Sequence, residues 1–258
     1  MENAVLITGA SSGFGKEFAR IFASRGNNVL LVARRTDVLE NMKKELEADF
    51  GIKAFVLAMD LSSDDAADQV FSFTKKLDLN IETLVNNAGY GDWSEFASAD
   101  MEKLNSMVHL NALTLLKLCR LYAPLMKEKG RGYILNVASI AAFSAGPLMG
   151  TYYASKAFVL SLSESLHEEL KKSGVCVTAL CPGPANTGFT KLAALDGTAF
   201  AHAFTKTSAK SVAEYGYKKL IKNKAIAVPC LTAKFMHFFL KILPRSLTRK
   251  AIYAIQKK

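Results

Sequence analysis

The sequence predicts a doubly wound α/β domain, in which helices cover both faces of one parallel β-sheet. Two observations predict it. Six short runs rich in β-branched residues are apolar throughout, and segments with helical periodicity separate them. Strands that are apolar on both faces are typical of a parallel sheet buried between two layers of helices.

The predicted elements alternate in a regular order along the chain. The strands cover 4–8, 28–33, 54–58, 83–86, 132–138 and 175–180, because each of these runs is short, apolar and rich in Val, Ile or Leu. The helices cover 14–24, 36–49, 66–77, 101–128 and 152–172, where apolar residues recur at helical spacing. Such an alternation is typical of βαβ units.

Length and composition favour one domain. The chain has 258 residues, of which 50% are hydrophobic, and no internal repeat or linker rich in Pro, Gly or Ser divides it. We predict a Rossmann-type domain over 1–230, with an irregular substrate loop at about 183–211. A basic amphipathic extension follows over 231–258.

The net charge of +10 is concentrated at one end of the chain. No Asp or Glu follows Glu214, and the eleven basic residues after it leave the first 214 residues with a net charge of −1 (10 − 11). No motif that reads nucleic acid accompanies this charge, so we expect no nucleic-acid partner.

Targeting and metal-binding patterns are not seen. No signal peptide or membrane-spanning run is recognisable, and Cys119, Cys176, Cys181 and Cys230 lack metal-ligand spacing. The four scattered histidines show no metal spacing either. We therefore predict no metal site and a reducing, cytoplasmic location.

A glycine-rich turn follows the first predicted strand. It reads Thr8-Gly9-Ala10-Ser11-Ser12-Gly13-Phe14-Gly15 and leads into the first predicted helix. Glycines in this context let the backbone approach a pyrophosphate, which the helix N-terminus favours electrostatically. The alternative is a strand-to-helix turn with no ligand.

Two arginines follow the second predicted strand. A carboxylate at this position would bind the ribose hydroxyls of NAD, whereas this chain has Arg34 and Arg35. Guanidinium groups bind a 2′-phosphate that a carboxylate would repel, so the sequence favours NADP(H). The alternative is that both arginines are solvated at the end of the strand.

Four further motifs or single residues follow in order along the chain. They are Asn86-Asn87-Ala88-Gly89, Asn111, Ser139 and Tyr152-Tyr153-Ala154-Ser155-Lys156. With the glycine turn, they resemble the short-chain dehydrogenase/reductase family in its TGxxxGxG, NNAG and YxxxK motifs. The serine thirteen residues before Tyr152 also matches. The resemblance runs from about residue 3 to residue 190 and implies a single Rossmann domain with a seven-stranded parallel sheet.

The resemblance also implies the catalytic residues. Tyr152 would exchange a proton with the substrate oxygen, and Lys156 would lower the pKa of Tyr152 and bind the nicotinamide ribose. Ser139 would hydrogen-bond the carbonyl, and Asn111 would position a water molecule. Spacing supports the choice of tyrosine, because Tyr152 and not Tyr153 lies four residues before Lys156, on the same helix face.

Further cofactor-binding residues are carried over from the family. Asp60 would contact the adenine, Asn87 would mainly brace the sheet, and Thr187 would lie near the nicotinamide carboxamide. The other matching positions are Ala88, Gly89, Pro182 and Gly183. Phe14 replaces the more common Ile of the glycine motif and leaves its glycines intact.

The extension 231–258 has two apolar stretches at helical spacing, separated by Pro244 and interleaved with basic residues. This pattern suits two amphipathic helices on an anionic membrane surface. It suits equally a cover over the active site or a contact with a neighbouring subunit. The resemblance implies a homo-oligomer, either a dimer or a tetramer, formed through the helices 101–128 and 152–172.

The sequence thus predicts an NADP(H)-dependent oxidoreductase that transfers hydride between nicotinamide and a carbonyl or alcohol. Aromatic and aliphatic residues of the substrate loop favour a fairly apolar ketone or aldehyde as the small-molecule substrate. The alternative is a catalytically weak NADPH-binding sensor or scaffold that docks on a membrane or partner through its tail.

Overall fold

Seven parallel strands form one sheet in the order β3-β2-β1-β4-β5-β6-β7. The structure, a computed structural model, describes residues 1–183, 185 and 207–257. The strands are β1 (Glu2–Thr8), β2 (Asn28–Ala33), β3 (Ala54–Ala58), β4 (Leu79–Asn86), β5 (Gly132–Val137), β6 (Val175–Leu180) and β7 (Ile226–Ala227).

Helices cover both faces of this sheet. They are α1 (Gly13–Ala23), α2 (Thr36–Phe50), α3 (Ala66–Lys76), α4 (Met101–Val108), α5 (Thr114–Glu128), α6 (Gly150–Leu170), α7 (Ala209–Ile221), α8 (Leu231–Ile242) and α9 (Arg245–Gln256). The prediction of a doubly wound α/β domain is confirmed, as is the seven-stranded sheet that the family resemblance implied.

Two details differ from the predicted elements. The predicted helix 101–128 consists of α4 and α5, joined by a π-helical turn at His109–Leu113. The seventh strand has only two residues, Ile226 and Ala227, which is too short for a recognisable apolar run. Every other predicted strand and helix corresponds to an observed one.

Successive residues of the central strands enter two separate cores. Leu6 and Leu30 belong to one core, with Val70, Leu118 and Val159 from α3, α5 and α6. Their neighbours Ile7 and Leu31 belong to the other core, with Phe18, Leu39 and Val212 from α1, α2 and α7. Because both faces are buried, the strands are mainly apolar, although β4 includes Glu82 and Thr83 and β5 includes Asn136.

A buried chain of hydrogen bonds anchors α6 to the middle of the sheet. Asn86 Nδ2 on β4 donates to Asn136 Oδ1 on β5 at 2.9 Å. Asn136 Nδ2 in turn donates to Ser163 Oγ on α6, also at 2.9 Å. Hydrogen bonds between buried amides fix one arrangement of their elements, so α6 has a defined position over β4 and β5.

The C-terminal region forms the two helices that the amphipathic pattern predicted, and Pro244 separates them. Within the described ranges, no helix has the length and apolar character to cross a membrane. α9 returns to the body of the domain, where Trp93 Nε1 donates to the backbone oxygen of Gln256 at 3.0 Å.

Candidate active site

The candidate site lies at the carboxyl ends of β1, β4 and β5, where the crevice of an open α/β sheet usually binds ligands. Thr8 joins two of these ends, because its Oγ1 accepts hydrogen bonds from the backbone amides of Asn87 at 2.9 Å and Ala88 at 3.0 Å. Asn87 Nδ2 donates back to the carbonyl oxygens of Thr8 and Gly9. The predicted Asn87 therefore braces the glycine turn.

The glycine turn is closed so tightly that side chains would not fit. A Cβ atom on Gly15 would lie 2.2 Å from the carbonyl oxygen of Gly9, and Gly9 itself has a φ of +64°. Ser12 precedes α1 without a side-chain cap, and the first turn has no acidic residue. Backbone amides at this helix end can therefore bind a phosphate group.

Both arginines follow β2, and Arg35 contacts this turn. Arg35 Nη2 donates to the carbonyl oxygen and to the Oγ of Ser11, each at 3.0 Å. Arg34 is exposed, and its Nη1 lies 4.0 Å from a carboxylate oxygen of Asp60. The Arg35 guanidinium beside an open helix N-terminus and the exposed Arg34 guanidinium after β2 fit a dinucleotide that carries a 2′-phosphate, with Asp60 just after β3.

Ser139, Tyr152 and Lys156 converge beside the Asn86–Gly89 segment that follows β4. The side chain of Ser139 shares a hydrogen bond with the Tyr152 hydroxyl. Lys156 Nζ donates to the backbone oxygen of Val137 at 2.8 Å and lies 5.9 Å from the centre of the Tyr152 ring. Gly89 is next to this ammonium, since a Cβ there would lie 3.4 Å from Lys156 Nζ.

Asn111 lies in the π-helical turn between α4 and α5, and π-helical turns are frequent at functional sites. Its Nδ2 donates to the backbone oxygen of Tyr90 at 2.9 Å and to Ser155 Oγ at 3.1 Å. Its Oδ1 accepts from the backbone amide of Tyr90. The side chain therefore connects the segment after β4 to α6, where Ser155 Oγ also donates to the backbone oxygen of Tyr152.

Burial changes the acidity of both catalytic groups. It raises the pKa of Tyr152 to about 12, an effect that the hydrogen bond with Ser139 only partly offsets. It lowers the pKa of Lys156 to about 8, although the nearby Cys181 thiol favours the charged ammonium. At neutral pH Tyr152 is therefore a protonated phenol that can donate a proton. An effect of Lys156 on the Tyr152 pKa stays a prediction.

The remaining predicted residues lie at the end of β6 or outside the described part. Pro182 is buried, and its carbonyl oxygen accepts from the backbone amide of Ile140 at 3.0 Å. Gly183 follows it and approaches the Ile140 side chain. Thr187 and most of the predicted substrate loop lie outside the described residues.

A cluster beside Tyr152 was not predicted as a unit. Leu104, Met107, Met149, Tyr152 and Tyr153 pack together, with Trp93 and Ile252 against them. No pattern in the sequence indicated that α9 reaches Tyr153 and Trp93. Gln256 is a single polar residue that follows an amphipathic stretch, so no periodicity marks it.

Comparison with known proteins identifies the family. The family model described as short chain dehydrogenase matches residues 3–196. The chain belongs to the short chain dehydrogenase family, which confirms the resemblance stated from the motifs.

Individual relatives support the same assignment. The chain is 38% identical over 192 residues to a very-long-chain 3-oxoacyl-CoA reductase from Neurospora crassa, a match covering 72% of this chain and 57% of that protein. The chain thus matches little more than half of that relative's length. It is 30% identical to the 7β-hydroxysteroid dehydrogenase of Mediterraneibacter gnavus, over 86% of this chain and 84% of that protein.

A solved structure with the same fold covers nearly the whole chain. It is a short-chain dehydrogenase from Sphingobium yanoikuyae in complex with NADPH, with a TM-score of 0.83 and 28% identity. The match covers 95% of this chain and 98% of that one.

The buried Lys156 makes the stability of the protein depend on pH. Its pKa is about 8 in the folded protein and about 10.4 in an unfolded chain. Between these values the unfolded chain binds one more proton than the folded protein, so the free energy of unfolding rises with pH, by up to about 3 kcal/mol. Below pH 8 the folded protein instead has to bury a charged ammonium.

We therefore expect Lys156→Met to be more stable than the wild type at pH 7, with the difference vanishing towards pH 10.5. Urea unfolding of the ligand-free protein across this range measures the difference, and all other titrating groups are shared by the two proteins. If the free energies of unfolding of the wild type and Lys156→Met differ by the same amount at every pH, burial does not lower the pKa of Lys156.

Proposed function

We propose that the protein is an NADP(H)-dependent oxidoreductase that acts on a carbonyl or alcohol, and that it reduces a fairly apolar ketone or aldehyde. The observation that carries the proposal is the convergence of Ser139, Tyr152 and Lys156 beside Gly89, in the segment that Thr8 and Asn87 join to the glycine turn. NADPH, when bound, supplies the hydride. The protein then has to bind the cofactor, orient the carbonyl and deliver a proton.

The surroundings of each proposed catalytic side chain support its role in the reaction. Tyr152, as a neutral phenol, donates the proton to the carbonyl oxygen, and Ser139 holds that oxygen by a second hydrogen bond. Lys156 binds the nicotinamide ribose and stabilises the tyrosinate that remains. Asn111, fixed between Tyr90 and Ser155, connects the site to a water molecule that returns the proton.

The two arginines after β2 favour NADP(H) over NAD(H). Arg34 and Arg35 provide donors for a 2′-phosphate, and the two glycines and the α1 N-terminus accommodate the pyrophosphate. Asp60, Ala88, Gly89, Pro182, Gly183 and Thr187 complete the proposed set of cofactor residues. A similar structure was determined with NADPH bound, which supports the same choice.

An apolar substrate suits the walls of the site. The cluster beside Tyr152 is aromatic and aliphatic, and a cavity of about 150 Å³ adjoins it, with Leu104, Met107 and Met149 in its lining. Apolar walls favour apolar ligands, with a few polar groups that orient them. Two relatives are named for 3-oxoacyl-CoA and hydroxysteroid substrates, which carry large apolar groups.

We expect Tyr152→Phe to lower the turnover of NADPH with any accepted ketone by at least about 10³-fold, because it removes the proton donor. NADPH binding, followed by cofactor fluorescence, should change less than about twofold, since the ring remains. Tyr122→Phe is the matched control, because it removes a buried hydroxyl that pairs with Thr74 on the far side of α5. Retained turnover in Tyr152→Phe would contradict the proton-donor role.

A wild type that binds NADPH but reduces no ketone, aldehyde or 3-oxoacyl thioester would favour the sensor or scaffold alternative.

Reversing the charge at Arg34 tests the cofactor choice. Arg34→Asp should weaken NADPH binding by about 10–100-fold, because a carboxylate repels the 2′-phosphate and one charge-assisted contact is lost. NADH lacks that phosphate and is the internal control, with an expected change below about threefold. Equal losses for the two cofactors would remove Arg34 from the 2′-phosphate site.

We also propose that the tail contacts an anionic membrane surface from the cytoplasmic side. α8 exposes Phe235, Phe238, Phe239 and Ile242, each with more than half of its surface accessible. Lys234, Arg245, Arg249 and Lys250 are exposed near them. Apolar side chains surrounded by cations suit a bilayer that contains anionic lipid.

Replacing two of these rings tests membrane binding. Phe235→Ser with Phe239→Ser should weaken binding to phosphatidylserine-containing vesicles by at least about tenfold, because two buried rings are lost. Phe96→Ser is the control, since Phe96 is more exposed than either phenylalanine but lies before α4. Sedimentation with vesicles measures the binding. A wild type that stays in the supernatant would contradict the proposal.

A homo-oligomer, either a dimer or a tetramer, is the proposed assembly. Leu116 on α5 and Phe158 on α6 are large apolar residues that remain exposed, on the helices expected to pair. Sedimentation velocity measures the mass in solution, and the mass of one chain would contradict the assembly.

A further inference from the structure

The end of α9 is buried although most of the helix is exposed. Gln256 has 0% of its surface accessible, whereas Leu247, Tyr253 and Ile255 on the same helix are each about half exposed. Gln256 and Thr248, of which Thr248 keeps 8% of its surface accessible, are the only buried residues among those described in α9. The helix therefore contacts the rest of the domain through a small number of side chains, of which Gln256 is the last.

Two hydrogen bonds and one apolar contact hold this end of the helix. Trp93 Nε1 donates to the backbone oxygen of Gln256 at 3.0 Å. Gln256 Nε2 donates to the Tyr153 hydroxyl at 2.8 Å, and Ile252 packs on the cluster that contains Tyr152. We call the three hydrogen-bonded residues Trp93, Tyr153 and Gln256 the clasp.

The clasp lies directly beside the proposed proton donor. The Tyr153 ring packs edge-to-face against the Tyr152 ring, with 6.2 Å between their centres. Gly146 supports Tyr153 from another side, since a Cβ there would lie 2.4 Å from its ring. Tyr153 therefore has little room to move, and a helix bonded to its hydroxyl has a defined position relative to Tyr152.

Only the nitrogen of the Gln256 side-chain amide is hydrogen-bonded within the described residues. Within the described part of the chain, the buried Oε1 of Gln256 has no hydrogen-bond partner. An unpaired buried amide oxygen is unfavourable, whereas methionine would fill a similar volume with no polar group to satisfy. The bond from Nε2 to Tyr153 is thus the specific contribution of the glutamine side chain.

We propose that Gln256 is a specificity-determining residue, which holds α9 as a fixed wall of the substrate cleft and limits the bulk of the ketone that reaches Tyr152. This inference rests on the proposed function, because Tyr152 is the proton donor there. Loss of the bond to Tyr153 lets the end of α9 move outward, so the cleft accepts larger substrates, and we expect the cofactor site at the glycine turn to be unchanged.

The test compares a compact ketone, cyclohexanone, with a bulky one, a tetracyclic ketosteroid, in the wild type and Gln256→Met. Ile255→Ala is the matched control, because it changes the adjacent, exposed residue of the same helix. Dissociation constants are measured on the NADP⁺-loaded protein, and kcat/KM is measured with NADPH. Trp93 is the only tryptophan in the chain, so its emission reports directly on the clasp.

We expect the bulky-to-compact ratio of kcat/KM, and of binding constants, to rise about fivefold or more in Gln256→Met, as a widened apolar cleft predicts. Trp93 emission should move to longer wavelength in that variant without substrate, while Ile255→Ala leaves the ratio and the emission unchanged. NADP⁺ affinity should stay within about twofold, which a general loss of structure would not allow.

Other results overturn the inference. If the bulky-to-compact ratios of kcat/KM and of binding constants in Gln256→Met stay within about twofold of the wild type, Gln256 does not control substrate size. This holds even if the Trp93 emission shifts. Equal shifts in Ile255→Ala would assign the effect to the helix as a whole. A wild type that binds the ketones without reducing them contradicts the proposed function, and the ratio of binding constants then decides the inference alone. A wild type that binds neither ketone overturns both.

Discussion

The hydroxyl of Thr8 joins the ends of two neighbouring strands, and the geometry of the whole site depends on that junction. It accepts from two successive amides after β4, while Asn87 donates back to the first turn after β1. The glycine turn and the Asn86–Gly89 segment therefore occupy one compact edge of the sheet. Gly15 has no alternative there, because any side chain would meet the carbonyl oxygen of Gly9. The cofactor surface and the catalytic surface are thus two sides of one hydrogen-bonded corner.

Burial shifts the pKa values of the residues proposed for catalysis, and it lowers the stability of the folded protein. Tyr152 and Lys156 are nearly inaccessible, and burial disfavours the charged form of each. A buried ammonium with a single backbone acceptor is unfavourable for folding, but it is ready to bind an electron-rich partner. The buried Asn86–Asn136–Ser163 chain fixes α6, so these side chains remain aligned despite that cost.

Most of the fold could be predicted from the sequence, and so could the placing together of the residues proposed for catalysis, because both depend on local patterns. Buried parallel strands are mainly apolar, so β1 to β6 were recognisable, whereas two-residue β7 depends on its pairing with β6. The order of Ser139, Tyr152 and Lys156 carried the family resemblance. The π-helical turn around Asn111 has no comparable local pattern, since a change of one residue in the helical repeat leaves the apolar spacing almost intact. The contact between Gln256 and Tyr153 joins residues 103 positions apart, and no periodicity encodes a single polar contact over such a separation.

The central claim is that this corner of the sheet brings NADPH and a carbonyl together for direct hydride transfer. The most direct measurement uses NADPH carrying deuterium at the transferred C4 position, with the product alcohol analysed by mass spectrometry and NMR. The account predicts one deuterium at the carbinol carbon, with none when the label is on the opposite face. An alcohol that forms without deuterium from either labelled cofactor would contradict it.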